Sequence, residues 1–390
     1  MSKIVCSICK KVHHDVEDGK CPLHPHQHDS YYDFQNSDDF LQEEVKRVAL
    51  EHNKLGLNGL VGGLQAIIVN VELDNIEKAT QEFLNFTGYI FDVAFEDKEF
   101  VTCVLKLKGS ADILVRSRKS EENPFRKYNI NPKSKHLPNT RLETFIFKGN
   151  DLKKYHEIQK ERGKQFIQSK PINNDNFSFI QSKPSEYTGI SVGIIEWKKE
   201  NQNYMTEDSS LLNWELQKPN RSYLKNIGLL DHTATRVRAE ERDAAIIEFM
   251  ELTNYHFDFA IYVQSFNSIT NVARLSSKDF AMVFTSGIVP FKNLEESGPT
   301  EKFSYNYGPR THHMAFVTEN IEITYENLKK DGLDYLVELI GSPDKGLKQT
   351  FTVASPNTLL VNEYIHRYGD FTGFFTKENV TLLTKSTEKQ

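Results

Sequence analysis

LQAIIVNVELDNIEKATQEFLNFTGYIF, residues 64–91, lies over LDHTATRVRAEERDAAIIEFMELTNYHF, residues 230–257, at a constant offset of 166. From Val71/Val237 to Phe91/Phe257 the two stretches run without a gap. They share Ala79/Ala245, Glu82/Glu248, Phe83/Phe249, Thr87/Thr253 and Tyr89/Tyr255. Each reads as a strand, an amphipathic helix and then an aromatic-rich strand. A second pair follows at offset 169, where RLETFIFKGNDLKKYHEIQKERGKQF from Arg141 matches RTHHMAFVTENIEITYENLKKDGLDY from Arg310. Here Arg141/Arg310, Phe147/Phe316 and Gly163/Gly332 coincide. One such alignment is within reach of chance. Two, in order and nearly at the same offset, mark a duplication.

Each copy holds two strand–helix–strands units and closes on a strand near Trp197 or Tyr364. The expected fold class is therefore α+β, with duplicated βαβββ modules forming two barrel-like halves. The first half spans 58–200 and the second 227–390, with a polar linker without steady periodicity over 201–226. A helix is expected in 31–57, where SDDFLQEEVKRVALEHNK offers Asp38 or Ser37 as its cap. Residues 1–30 form a separate Cys/His-rich segment.

At 390 residues the chain can bury two or three ordinary cores. Hydrophobic residues at 38% and charged residues at 26% fit a globular protein. The net charge of −6, without a long Lys/Arg run, argues against a nucleic-acid partner. No stretch approaches the ~20 apolar residues of a membrane span. The start MSKIVCSICKK is too short in apolar residues for a signal peptide, so the expected location is cytoplasmic. A homo-oligomer is the expected assembly.

The duplication acts as an internal control on the polar residues of the second half. His232 falls opposite Ala66, and His313 opposite Thr144. The nearest counterpart of Glu363 is Glu196 at offset 167 or Ile194 at offset 169. The first half lacks both imidazoles and is not expected to bind iron. His232, His313 and Glu363 each sit in a strand-like run, LLDHTATRVR, THHMAFVT and NTLLVNEYIHRY. Two histidines and one carboxylate are the facial ligand set of a non-haem Fe(II) oxygenase, and they leave open positions for substrate and O2. Alternation along a strand sends His312 and His313 to opposite faces, and the repeat register favours neither as the ligand. An isolated strand histidine is more often structural; here order, strand context and repeat register agree.

The second half resembles 4-hydroxyphenylpyruvate dioxygenase, of the vicinal-oxygen-chelate superfamily. Asp231-His232 matches its first motif, and His312-His313-Met314-Ala315 matches its Gln-His-Ile-Ala. LKQTFT from Leu347 and LVNEYIHR from Leu360 match its third. GFFTKENVTLL from Gly373 stands where the family has GFGxGNFxxLF. The resemblance covers most of 227–385 and makes His232, His313 and Glu363 the iron ligands. It implies a closing C-terminal helix starting near Phe374. It also implies a 2-oxo acid substrate that chelates Fe(II) through its carboxylate and keto oxygens, with O2 as co-substrate and CO2 released. Gln349 is then a pocket donor, and Phe374 and Phe375 are aromatic walls. Three departures stand out: His312 replaces the family's substrate-holding Gln, VFTSGIVP around Ser286 replaces PLNEP, and the segment from His313 to Glu363 is short.

The leading reaction is oxidative decarboxylation and hydroxylation of 4-hydroxyphenylpyruvate or a related aryl pyruvate. The alternatives are an extradiol ring-cleaving dioxygenase, a hydroxymandelate-synthase-like enzyme and a non-catalytic binding protein on the same fold. Arg274 is read as a surface residue, and His256 and His366 as structural. Cys103 is read as a buried small hydrophobe. In the N-terminal segment, Cys6-x2-Cys9 and Cys21-x2-His24 have structural-zinc spacing. His13, His14, His26 and His28 are rival fourth ligands.

Overall fold

The computed structural model describes residues 3–6, 12–14 and 34–390. Strands β1 (Lys3–Val5) and β2 (Val12–His14) pair antiparallel. The expected zinc ligands Cys9, Cys21 and His24 lie outside the described residues, as do His26 and His28; Cys6 is described and buried.

The first half supplies β3 (Val61–Asn70), β4 (Ile90–Glu96), β5 (Phe100–Lys106) and β6 (Asp112–Arg118), then β7 (Arg141–Gly149), β8 (Ile172–Asn173), β9 (Phe177–Gln181) and β10 (Ser191–Trp197). A short β11 (Ser210–Leu211) from the linker adds to the β4 edge. The second half supplies β12 (Ile227–Arg236), β13 (His256–Val263), β14 (Ser268–Arg274) and β15 (Ala281–Ser286). Then come β16 (Arg310–Thr318), β17 (Ile340–Ser342), β18 (Leu347–Phe351) and β19 (Val361–Arg367). The helices are α1 (Asp39–Leu55), α2 (Ile76–Phe86), α3 (Leu152–Glu161), α4 (Arg242–Leu252), α5 (Pro299–Tyr307), α6 (Ile321–Lys330) and α7 (Lys377–Ser386).

Two curled sheets result, ordered β11-β4-β5-β6-β3-β7-β10-β9-β8 and β13-β14-β15-β12-β16-β19-β18-β17. In each βαβββ module the first and last strands pair parallel, as β3 with β6 and β7 with β10. The two modules of a half meet through an antiparallel pair, β3 with β7 and β12 with β16. The duplication is thus present strand for strand.

The halves share one core. Phe147 meets Tyr255 at 5.2 Å and Phe249 at 5.9 Å between ring centroids, and Tyr89 meets Phe316 at 6.2 Å. Burying aromatic side chains of this size contributes about 1.5–3 kcal/mol apiece, and here that gain couples the halves. The backbones also approach closely: a Cβ on Gly88 would lie 1.9 Å from Ile227 O. Asn254, its repeat counterpart, instead accepts from the Val61 backbone N–H at 3.0 Å.

Asp38 does stand at the start of α1, but its carboxylate does not cap the helix. It accepts from Arg242 Nη1 at 2.9 Å and Tyr262 Oη at 2.6 Å, tying the lead-in helix to the second half. Among the described residues, no helix is long and apolar enough to cross a membrane.

Candidate metal centre

β12 runs antiparallel to β16, and β16 parallel to β19, so His232, Ala315 and Glu363 form one row across three strands. Alanine in the middle leaves room for the outer two side chains to lean together. His313, opposite Ala234, joins them. His232 Nε2 lies 3.1 Å from Glu363 Oε2, and His313 Nε2 lies 3.2 Å from the same oxygen. The donor atoms of all three are within 4.8 Å of one another, and among the described residues this is the one such His/Cys/Asp/Glu group. All three residues are buried.

The far side of each ligand is held. His232 Nδ1 bonds Asp231 Oδ2 at 2.7 Å, and Asp231 receives both terminal nitrogens of Arg367 at 2.6 and 3.0 Å. Glu363 Oε1 accepts from Gln349 Nε2 at 2.5 Å, and Gln349 Oε1 accepts from Asn379 Nδ2 at 3.0 Å. Burial works to lower the His232 imidazole, but Glu363 and Asp231 outweigh it and raise it to about 9. Burial works to raise Glu363, yet the two histidines bring it down to about 2. A carboxylate facing two imidazoles in a closed site is strongly polarised, and a divalent cation satisfies all three at once. Two imidazoles and one carboxylate, with the outer nitrogens and oxygen already engaged, fit Fe(II).

His312 corrects the alternation argument. Its ring does not turn to the opposite face: His312 and His313 both line the same cavity, with ring centroids 5.1 Å apart. The cause is a β-bulge, since Ala234 pairs His313 but Thr235 pairs Thr311, leaving His312 without a partner on β12. The first half bulges at the matching place, skipping Glu143 between Thr144 and Leu142. Burial, with the Arg236 charge nearby, holds His312 well below the ordinary histidine range. The neutral ring donates from Nε2 to Gln390 Oε1 at 2.8 Å and accepts at Nδ1 from His313 Nδ1 at 2.9 Å. That chain leaves a lone pair on His313 Nε2, directed at the site.

A small cavity opens beside the triad, lined by His313, Glu363, Phe351 and Phe375 and roofed by α7. Phe374 and Phe375 stand edge-on to His232, at 5.4 and 5.1 Å. α7 begins at Lys377, three residues beyond the expected start, with Thr376 Oγ1 accepting from the Asn379 N–H. Gln349 is fully buried with its amide committed to Glu363 and Asn379, so its place is behind the carboxylate. Thr285 lines the cavity, whereas Ser286 beside it is buried and does not. Arg274 pairs with Asp258 at 2.5 Å, His366 Nδ1 donates to Thr318 O at 2.8 Å, and Cys103 is buried. His366 and Cys103 match their expected roles, but Arg274 is not the surface residue expected: its side chain is largely buried and its guanidinium lies 5.5 Å from the Phe374 ring centroid.

In the first half, β10 aligns with β19 at offset 170, so Gly193 stands where Glu363 does. Neither Glu196 nor Ile194 is the counterpart; Glu196 caps α3 by accepting from the Leu152 N–H at 2.8 Å. Phe179 replaces Gln349, and its ring would lie 2.9 Å from a Cβ at Gly193. Ala66, Ile68 and Leu114 pack there with Tyr204 from the linker, whose hydroxyl donates to Asp112 Oδ2 at 2.8 Å. The space that holds polar ligands in one half is filled with hydrocarbon in the other.

The fold is shared with known structures. Two solved structures carry the likeness. A triple variant of 4-hydroxymandelate synthase from Streptomyces coelicolor superposes with a TM-score of 0.63 at 16% identity, covering 84% of this chain and 98% of that one. A xylose isomerase-like TIM barrel/4-hydroxyphenylpyruvate dioxygenase fusion protein gives 0.61 at 13% identity, covering 90% of this chain and 58% of the longer one. No protein-family model matches the sequence, and no curated protein matches it.

Proposed function

We propose that the protein is a non-haem Fe(II)-dependent dioxygenase that oxidatively decarboxylates and hydroxylates a 2-oxo acid. The convergence of His232 Nε2, His313 Nε2 and Glu363 Oε2 beside a cavity carries this reading. When bound, Fe(II) would supply coordination sites for the 2-oxo acid and O2 and the electrons that activate O2. Asp231, itself fixed by Arg367, holds His232 in one tautomer, and His312 does the same for His313. Gln349 and Asn379 fix the Glu363 carboxylate. Phe374, Phe375 and α7 exclude bulk water, which keeps the reacting centre from solvent.

The balance is one 2-oxo acid and one O2 to one hydroxylated acid, shortened by a carbon, and one CO2. Aryl pyruvates, with 4-hydroxyphenylpyruvate first, are the reference substrates. Oxygen uptake and CO2 release by the Fe(II)-loaded chain across a panel of aryl and alkyl 2-oxo acids test the reading. Turnover with at least one of them is expected; no uptake with any of them overturns it. Product analysis then separates ring hydroxylation from benzylic hydroxylation.

A further inference from the structure

Arg236 follows His232 by four residues on β12, and the period-2 alternation of a strand brings both side chains to the same face. Its residue is only 5% exposed, yet it lines the cavity beside the triad. Its Nη1 donates to Pro299 O at 3.2 Å, and its guanidinium sits 4.7 Å from the centroid of the Phe303 ring. Among the described residues no carboxylate comes within 4.0 Å of it, whereas the buried Arg242 and Arg118 each have one. Glu301, the acidic group that acts on it from α5, has Oε1 committed to the Gly287 N–H at 2.8 Å. A buried guanidinium without a counter-ion is costly. Arg141 and Arg310 are also buried without one, but they bond carbonyls across the halves, whereas Arg236 lines a cavity beside the triad.

The wall around Arg236 is built for the same purpose. Ser268, Thr270, Thr285 and Thr300 line the same cavity. Ser268 and Thr300 bond each other at 3.0 Å, but the buried Thr285 hydroxyl has no partner. Phe375 and Phe351, beside His232 and His313, also line it. Charge counting agrees. A divalent ion on Glu363 leaves one positive charge, which the substrate's own carboxylate offsets, and Asp231 is matched by Arg367. Among the groups that line the cavity, Arg236 is the charge left over.

We infer that Arg236, with the Thr285 hydroxyl, binds a second anionic group of the substrate, so that the substrate class is a 2-oxo acid with an acidic group at the end remote from the metal. This rests on the dioxygenase reading for the chelating end and adds the identity of the other. Nothing in the sequence pattern singled Arg236 out, because one strand residue among several arginines carries no signal until its neighbours are known.

The test is calorimetric titration of the full chain, anaerobic with Fe(II) and again metal-free, using matched pairs. These are 2-oxoglutarate against 2-oxopentanoate and, for longer reach, 4-carboxyphenylpyruvate against phenylpyruvate. In at least one pair the acid-ended compound should bind about tenfold tighter or better. Arg236→Gln should erase that preference and leave affinity for the neutral-ended partner within about twofold, while Arg236→Lys keeps part of it. Thr285→Val, which leaves the Phe303 stacking intact, should cost the acid-ended compound about threefold alone. No preference in either pair, or a preference unchanged in Arg236→Gln and Thr285→Val, overturns the inference. Equal weakening of both partners would also overturn it, since that is the signature of a merely structural arginine. Oxygen uptake with neutral-ended acids alone would leave the dioxygenase reading standing and sink this one.

Discussion

Arg141 and Arg310, equivalent in the two halves, each donate to the carbonyl of the residue preceding the other. Arg141 Nη2 reaches Pro309 O at 2.9 Å, and Arg310 Nη2 reaches Thr140 O at 2.7 Å. Both are buried, and burial pushes Arg141 down to about 9 and Arg310 to about 10, with Arg310 adding to the effect on Arg141. The crossed pair locks β7 against β16, and β16 carries His313. Replacing Arg310 by Leu strands the Thr140 carbonyl and should cost about 2–4 kcal/mol by denaturant unfolding. The double variant with Arg141→Leu should cost more than the sum, because the repulsion between the two is relieved in full by either single change and cannot be relieved twice.

Asp231 touches His232 and Arg367 and lies behind the triad. Asp231→Asn should weaken Fe(II) affinity about 10–100-fold with a small change in melting temperature. His232→Ala should abolish it. Iron analysis after dialysis reads both, and iron retained in His232→Ala would mean the triad is misassigned.

Grafting the triad onto the first half should fail. Ala66→His, Thr144→His and Gly193→Glu together put the right donors in the right strands, but Phe179, Ile68 and Tyr204 occupy the space. The expected outcome is a less stable chain with no added iron, measured as metal content and thermal midpoint. Overpacking of this kind costs about 1–3 kcal/mol per site.

Glu301 makes the protein's stability depend on pH. Burial, with Glu240 beside it, pushes the carboxyl from 4.5 up to about 8. A folded-state value raised above the unfolded one gives a contribution that is full below about 4.5 and is lost as pH rises through about 8. Glu301→Gln, which keeps the neutral form, should flatten that decline. At about pH 9 it should be more stable than the parent by roughly 1–3 kcal/mol, and near pH 4 close to equal. Urea midpoints at the two pH values decide it.

The duplication was legible because a strand–helix–strand pattern leaves its period in the chain, and β3 and β12 coincide at the offset read from it. His232 was legible for the same reason, since it sits where its copy has Ala66; His312 and His313 both lie opposite residues without a ring nitrogen, and only the family resemblance chose His313. The counterpart of Glu363 was not. Each loop changes length slightly, so the offset drifts from 166 to 170 along the chain, and β10 and β19 fall out of the register used.

What the sequence determined by itself was the α+β class and the doubling, which are properties of single strands and their periods, and, through motifs that resemble a known family, the three polar residues. The tertiary structure decided the rest. The bulge that turns His312 into the site, the Gln349 amide behind Glu363 and the Phe179 ring over Gly193 are cross-strand facts. So is the unpaired Arg236 in the cavity. Period along one strand tells which residues share a face; which faces meet, and with what charge unmatched, depends on register between strands.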